Sequence, residues 1–268
     1  MIDSVQKAQA AVDPMKVKVF MSRERAAIIR KQMDAASGLN KINLMVMYGF
    51  ELLKAGETRE AIDVFQQVLT AVAPMQIPGK EKTALEVKKL LALAELRLGE
   101  QENCFINHTG ASCIIPIAKA GQHTKVEGST MAIKLYEEIL TQSPDDLTSK
   151  FLLNIAAMTL GEFPDGIPKS MRVPDGLFTS KVSFPQFPDI APELGFTSRG
   201  LAGGIAIEDF DNDGDLDIIT TEWGFHDQIR YYKNNGEGGF DDVTMQSGLK
   251  GVTGGLNINH TDYNNDGY

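Results

Sequence analysis

Apolar side chains recur at helical spacing through the first 160 residues of this chain and then give way to short, alternating runs. Met45, Tyr48, Gly49 and Leu52 fall on one face of a first helix, and Ala61, Phe65 and Val68 on one face of a second. Gly56-Glu57 makes the turn between them, Pro74 closes the pair, and the small residues Gly49 and Ala61 allow two helices to approach closely. Leu85, Leu90, Leu91, Ala94 and Leu98 predict a third helix ending at Gly99. Ala132, Leu135, Tyr136, Ile139 and Leu140 predict its partner, ending at Pro144, with residues 101–127 inserted between the two. A further helix over Asp146–Leu160 carries Leu152, Leu153, Ala156 and Ala157 on one face, and Val19, Ala26, Ile29 and Met33 predict a leading helix before Gly38.

The pattern changes after Leu160. Six of the eleven prolines lie between Pro164 and Pro192. Proline removes backbone donors and restricts the residue before it, so an extended linker is expected there, with a boundary near Val173–Ser183. Beyond it, Gly204–Glu208, Ile218–Thr221, Gln228–Lys233 and Phe240–Thr244 read as strands, with Asn234–Gly239 as a turn cluster. This region repeats itself 53 residues apart without a gap. Phe187 matches Phe240, Asp189 matches Asp242, Gly195 matches Gly248, Asp209 matches Asp262, Asp213 matches Asp266 and Gly214 matches Gly267. A unit of this size cannot bury its apolar face alone and implies stacked or circular neighbours. The second copy stops at Tyr268, inside its acidic loop, so the chain reads as a fragment of a longer array.

Charge sharpens the division. The net charge is −10, yet residues from Phe187 onward hold 15 acidic against 4 basic side chains, while the preceding part is nearly balanced at 21 against 22. Nucleic-acid binding needs the opposite sign, and clustered carboxylates destabilise a fold unless a cation offsets them. No apolar run approaches the ~18 residues of a membrane span, and residues 1–20 show no signal-peptide core.

The acid is concentrated in Asp209-Phe-Asp-Asn-Asp-Gly-Asp-Leu-Asp217, which fits D-x-D-x-D-G-x-x-D. Asp209, Asp211 and Asp213 can turn inward around one hard cation, Gly214 permits the sharp turn, Asp215 offers its main-chain carbonyl, and Asp217 closes the shell directly or through water. Oxygen-only ligands in a flexible loop select Ca²⁺. An EF-hand would need Glu at position twelve and flanking helices, whereas Thr220 stands there between strand-like flanks. In the second copy, Asp262, Asn264 and Asp266 occupy the matching ligand positions.

The 101–127 insert contains both cysteines and two of the four histidines: Cys104, His108, Cys113 and His123. A Cys104–Cys113 disulfide, a zinc-type site of two Cys and two His, and two plain buried thiols all fit these residues. Asn107-His-Thr and Asn259-His-Thr fit the N-glycosylation sequon. No G-x-S-x-G, P-loop or G-x-G-x-x-G run points to an enzyme.

With these residues placed, two resemblances emerge. The Lys41–Pro74 pair resembles a tetratricopeptide repeat. GGIAIEDFDNDGDLDII, RYYKNNGEGGFDDVT and GGLNINHTDYNNDG resemble FG-GAP/VCBS-type repeats, the calcium-loop blades of β-propellers. The order of helices, Cys-bearing insert, FPDIAPELGF and blades is similar to bacterial relatives of the cartilage acidic protein (ASPIC/UnbV) family, although one and a half blades cannot close a propeller and that family's carboxy-terminal domain is absent. The resemblance implies Ca²⁺ at the aspartates of the first loop and, in part, of the second. It also implies an extracytoplasmic location. The expectation is an α+β multidomain protein: a TPR-like α-solenoid over residues 1–160, a linker over 161–186, and the first blades of a β-propeller over 187–268. Its expected role is that of a non-enzymatic, calcium-binding interaction or adhesion scaffold with a protein or glycan partner. The alternatives are a metal- or redox-active protein built on Cys104, His108, Cys113 and His123, and a carbohydrate-binding propeller.

Overall fold

The computed structural model describes the chain from residue 2 to residue 265 apart from positions 18, 105–108, 110, 113, 175, 179, 181, 184, 186, 189, 192, 197 and 199. It divides into two compact units, one of residues 21–188 and one of residues 1–20 together with 189–268.

The first unit is helical: α2 (Ser22–Asp34), α3 (Gly38–Lys54), α4 (Thr58–Val72), α5 (Lys80–Cys104), α6 (Glu127–Gln142) and α7 (Leu147–Thr159). Each helix packs on its chain neighbour, with lighter contacts between α3 and α5 and between α5 and α7. The faces read from the 3.6-residue period are the buried ones. Tyr48 and Leu52 of α3, Ala61, Phe65 and Val68 of α4, Leu91, Ala94 and Leu98 of α5, Tyr136 and Ile139 of α6, and Leu153 and Ala156 of α7 form one apolar core. A Cβ built on Gly49 would lie 2.7 Å from Cε1 of Phe65, so the missing side chain is what admits the ring between α3 and α4.

Two boundaries differ from expectation. Gly99 does not end α5, which runs on to Cys104. Instead it marks a close crossing, because a Cβ on Gly128 of α6 would lie 2.7 Å from the Gly99 amide nitrogen. Val19 precedes α2 and is half exposed, so the leading helix is carried by Ala26 and Ile29. Part of the proline-rich segment is folded onto α7: Ile167 and Val173 are buried, Asn154 Nδ2 donates to the Met171 carbonyl, and the Val173 amide donates to Asn154 Oδ1.

One buried group in this unit gives a pH signature. Glu95 of α5 is only 5% exposed. Burial, and then the Glu127 carboxylate, push it from an ordinary 4.5 up to about 7, with Arg59 offsetting part of the shift. An acid whose folded pKa is raised costs nothing below its unfolded value and costs progressively more as pH climbs towards the folded one. Glu95→Gln is therefore expected to stabilise the protein by about 1–3 kcal/mol at pH 8 and by much less at pH 5. Urea unfolding at the two pH values checks this, and an equal gain at both would contradict it.

The second unit is built on a four-stranded antiparallel sheet in the order β1 (Ala202–Glu208), β2 (Asp217–Glu222), β3 (Arg230–Asn234), β4 (Phe240–Asp242). Each strand pairs with the next, through Glu208↔Asp217, Ile218↔Tyr232 and Tyr232↔Asp242. The Phe196 ring lies 4.8 Å from Tyr232 and 5.0 Å from Phe240 over this sheet. Helix α1 (Ile2–Ala10) belongs to the same unit, where Gln9 Nε2 donates to Thr253 Oγ1 at 2.9 Å.

The 53-residue echo is structural as well as sequential. The Leu194 amide donates to the Ile190 carbonyl at 3.1 Å, and 53 residues on the Ser247 amide donates to the Val243 carbonyl at 3.0 Å. Gly195 and Gly248, the next pair in register, both have positive φ, 84° and 79°. Among the described residues no helix is long and apolar enough to cross a membrane.

Candidate functional site

The acidic loop joins β1 to β2, closed at its base by the Glu208↔Asp217 pair. Its turn depends on two left-handed residues, Asn212 (φ 60°) and Gly214 (φ 96°). Asparagine tolerates this region because its short polar side chain bonds locally, and glycine because it lacks Cβ. Asn265, 53 residues after Asn212, has φ 58°, so the second loop turns in the same way.

The turn points three carboxylates inward. One oxygen from each of Asp209, Asp211 and Asp213 lies within 4.8 Å of the other two, with Asp209 half-buried and the others exposed. Asp209 fixes the curl, accepting the Asp213 amide on Oδ1 at 3.0 Å and the Gly214 amide on Oδ2 at 2.9 Å. Asp213 Oδ1 accepts the Asp215 amide at 3.0 Å. That amide, and after it the Lys233 ammonium, hold the Asp213 carboxyl below its ordinary value. Such a cluster of hard oxygen donors is able to hold a metal ion.

The remaining aspartates fall elsewhere. Asp215 is exposed and enters the cluster through its backbone. Asp217 is fully buried beneath the loop, its Oδ1 accepting the Asn234 amide at 2.8 Å and its Oδ2 the Tyr231 hydroxyl at 2.7 Å. Burial and then that carboxylate raise the Tyr231 pKa well above its usual value. Asp217 thus pins β2 to β3 at the point where the loop leaves the sheet. Asp262 and Asn264 lie on the second loop, and Asp266 falls outside the described residues.

Three groups here were not singled out from the sequence: Lys233, Tyr231 and Phe210. Lys233 Nζ reaches Asp211 Oδ2 and lies 3.1 Å from Asp213 Oδ2. The two carboxylates raise the Lys233 pKa above its ordinary value. Phe210 packs edge-on against Tyr231 at 5.9 Å and His260 at 6.0 Å, so the residue between the first two aspartates anchors the loop to the second copy. His260 Nδ1 is also 3.4 Å from Glu208 Oε2. The strand register would have placed Lys233 beside the loop, since Tyr232 pairs with Ile218 and the next position faces Asp217.

In the helical insert, Cys104 ends α5, and His123 is buried with Nδ1 3.0 Å from Ser129 Oγ and its amide on the Thr159 carbonyl at 2.8 Å. Burial lowers the His123 pKa. His108, Cys113 and Asn107 lie outside the described residues.

The family of FG-GAP-like repeats matches residues 209–268, a span that opens on Asp209 and takes in every residue of the second copy from Phe240 to Tyr268. A search of curated proteins and a search of solved structures found no match.

Proposed function

We propose that this chain is a calcium-binding, non-enzymatic interaction protein in which a TPR-like helical segment precedes the first blades of a β-propeller. The observation that carries it is the turn of three convergent carboxylates, set between two strands, within a segment that matches an FG-GAP-like repeat. Repeats of this type suggest adhesion or interaction and an extracellular setting.

The residues suit Ca²⁺. Every donor is oxygen, the backbone is curled at Asn212 and Gly214, and a protein cation already sits on two of the three carboxylates. In this reading Asp209, Asp211 and Asp213 supply side-chain ligands, Asp215 its carbonyl, and Asp217 acts through water while holding β3. By their matching positions in the repeat, Asp262, Asn264 and Asp266 would supply the corresponding ligands of the second copy. The ion removes the repulsion among the carboxylates and so fixes how β1 and β2 leave the loop. The helical unit fits an α-solenoid, since its helices pack in chain order with lighter contacts one helix further on. Its partner would be a protein or glycan.

Calorimetric titration with Ca²⁺ tests the reading. Saturable binding is expected at about 10⁻⁴–10⁻³ M, as for extracellular modules, with a clear loss on Asp211→Ala. The absence of saturable heat at millimolar Ca²⁺ would overturn it.

A further inference from the structure

We infer that Lys233 is the built-in counter-ion of the first loop: its ammonium competes with the divalent cation for Asp211 and Asp213, and so sets the concentration at which the loop loads. This rests on the calcium reading above and concerns how that same site is regulated.

The geometry leads to it directly. Lys233 projects from β3, across the sheet from the loop, and its Nζ contacts Asp211 Oδ2 and Asp213 Oδ2. These are two of the three carboxylates whose oxygens converge within 4.8 Å. A calcium ion needs its oxygens at about 2.3–2.6 Å, so it would draw those carboxylates inward and meet the ammonium at close range. Two cations sharing the same pair of carboxylates repel each other, and the lysine is the one that can leave. Its four-carbon stem is flexible, its three donors rotate, and its side chain is already 38% exposed. Loading the loop is then an exchange, ammonium out and metal in. Only four basic side chains lie in the 82 residues from Phe187 onward, against fifteen acidic ones, so one placed against the loop is not explained by abundance.

The exchange has two consequences. Without the metal, Lys233 offsets the mutual repulsion of the carboxylates and keeps the loop folded. With it, the lost lysine contacts are subtracted from the binding energy, which weakens affinity and moves the loading midpoint to a higher Ca²⁺ concentration.

The test uses the full chain and Ca²⁺ alone as the probe, comparing wild type, Lys233→Met, Lys233→Arg and Lys250→Met. The last makes the same charge change at an exposed position away from the loop. Lys233→Met is expected to bind Ca²⁺ about tenfold more tightly. Its melting temperature should fall below wild type in chelator and converge with it in saturating Ca²⁺, while Lys233→Arg and Lys250→Met stay near wild type. The converging melts keep the test sound even if Lys233→Met folds poorly without the ion. Wild type that binds while Lys233→Met binds equally or more weakly would overturn the exchange and leave the calcium reading standing. An equal gain in Lys250→Met would reduce the effect to net charge and overturn it too. No binding by any of the four would overturn both.

Discussion

Truncating Phe65 to alanine is expected to lower the stability of the helical unit by about 3–5 kcal/mol. Phe65 is fully buried between α3 and α4. The cost of such a truncation depends on how far the surroundings collapse into the space left behind. Here one wall is Gly49, which has no side chain to swing in, and Ala61 on the same face of α4 is already small and fully buried. The cavity should persist, which places the loss towards the upper part of that range. Urea unfolding followed by the helical circular dichroism signal measures it. A loss under about 1 kcal/mol would show that the α3–α4 seam closes up after all.

The second large effect concerns the loop. Asp209→Ala is expected to weaken Ca²⁺ binding by roughly 100-fold or more, beyond the 10–100-fold typical of groups that only support metal ligands. Asp209 is the one half-buried member of the cluster and accepts the amides of both Asp213 and Gly214. On the proposed reading its removal takes away a ligand, and it also breaks the two bonds that curl the loop. Asp215→Ala is the informative control. The net charge changes by the same amount, but Asp215 enters the cluster through its backbone alone, so its affinity should stay close to wild type. Competition with a calcium-sensitive dye measures both. Equal losses would mean that the loop attracts the ion by bulk charge instead of by shape.

Helical phase was legible because burial of a stripe imposes the 3.6-residue period, and the residues chosen by spacing, from Tyr48 to Ala156, are those in the core. Helix ends were less legible. Gly99 looks like a stop but is a crossing point, and only the position of Gly128 on another helix reveals it. Helix α1 left almost no trace, since none of its residues is buried and Gln9 is held by Thr253, far along the chain. The convergence of Asp209, Asp211 and Asp213 was legible because it is local, set by neighbouring residues and the turn at Gly214. Lys233 and the buried role of Asp217 were not, because both follow from β2–β3 pairing across more than a dozen residues.

One feature of the sheet bears on how the copies depend on each other. Its fourth strand, β4, is Phe240–Asp242, and Phe240 is where the second sequence copy starts. The unit of repetition and the unit of folding are therefore out of step. A chain cut at the sequence boundary, after Gly239, would keep a complete acidic loop yet leave β3 as a raw edge open to pairing with foreign strands. The sheet of the first copy thus borrows a strand from the second, so its stability includes a contribution from its successor, and damage to Phe240–Asp242 is felt in the sheet before it.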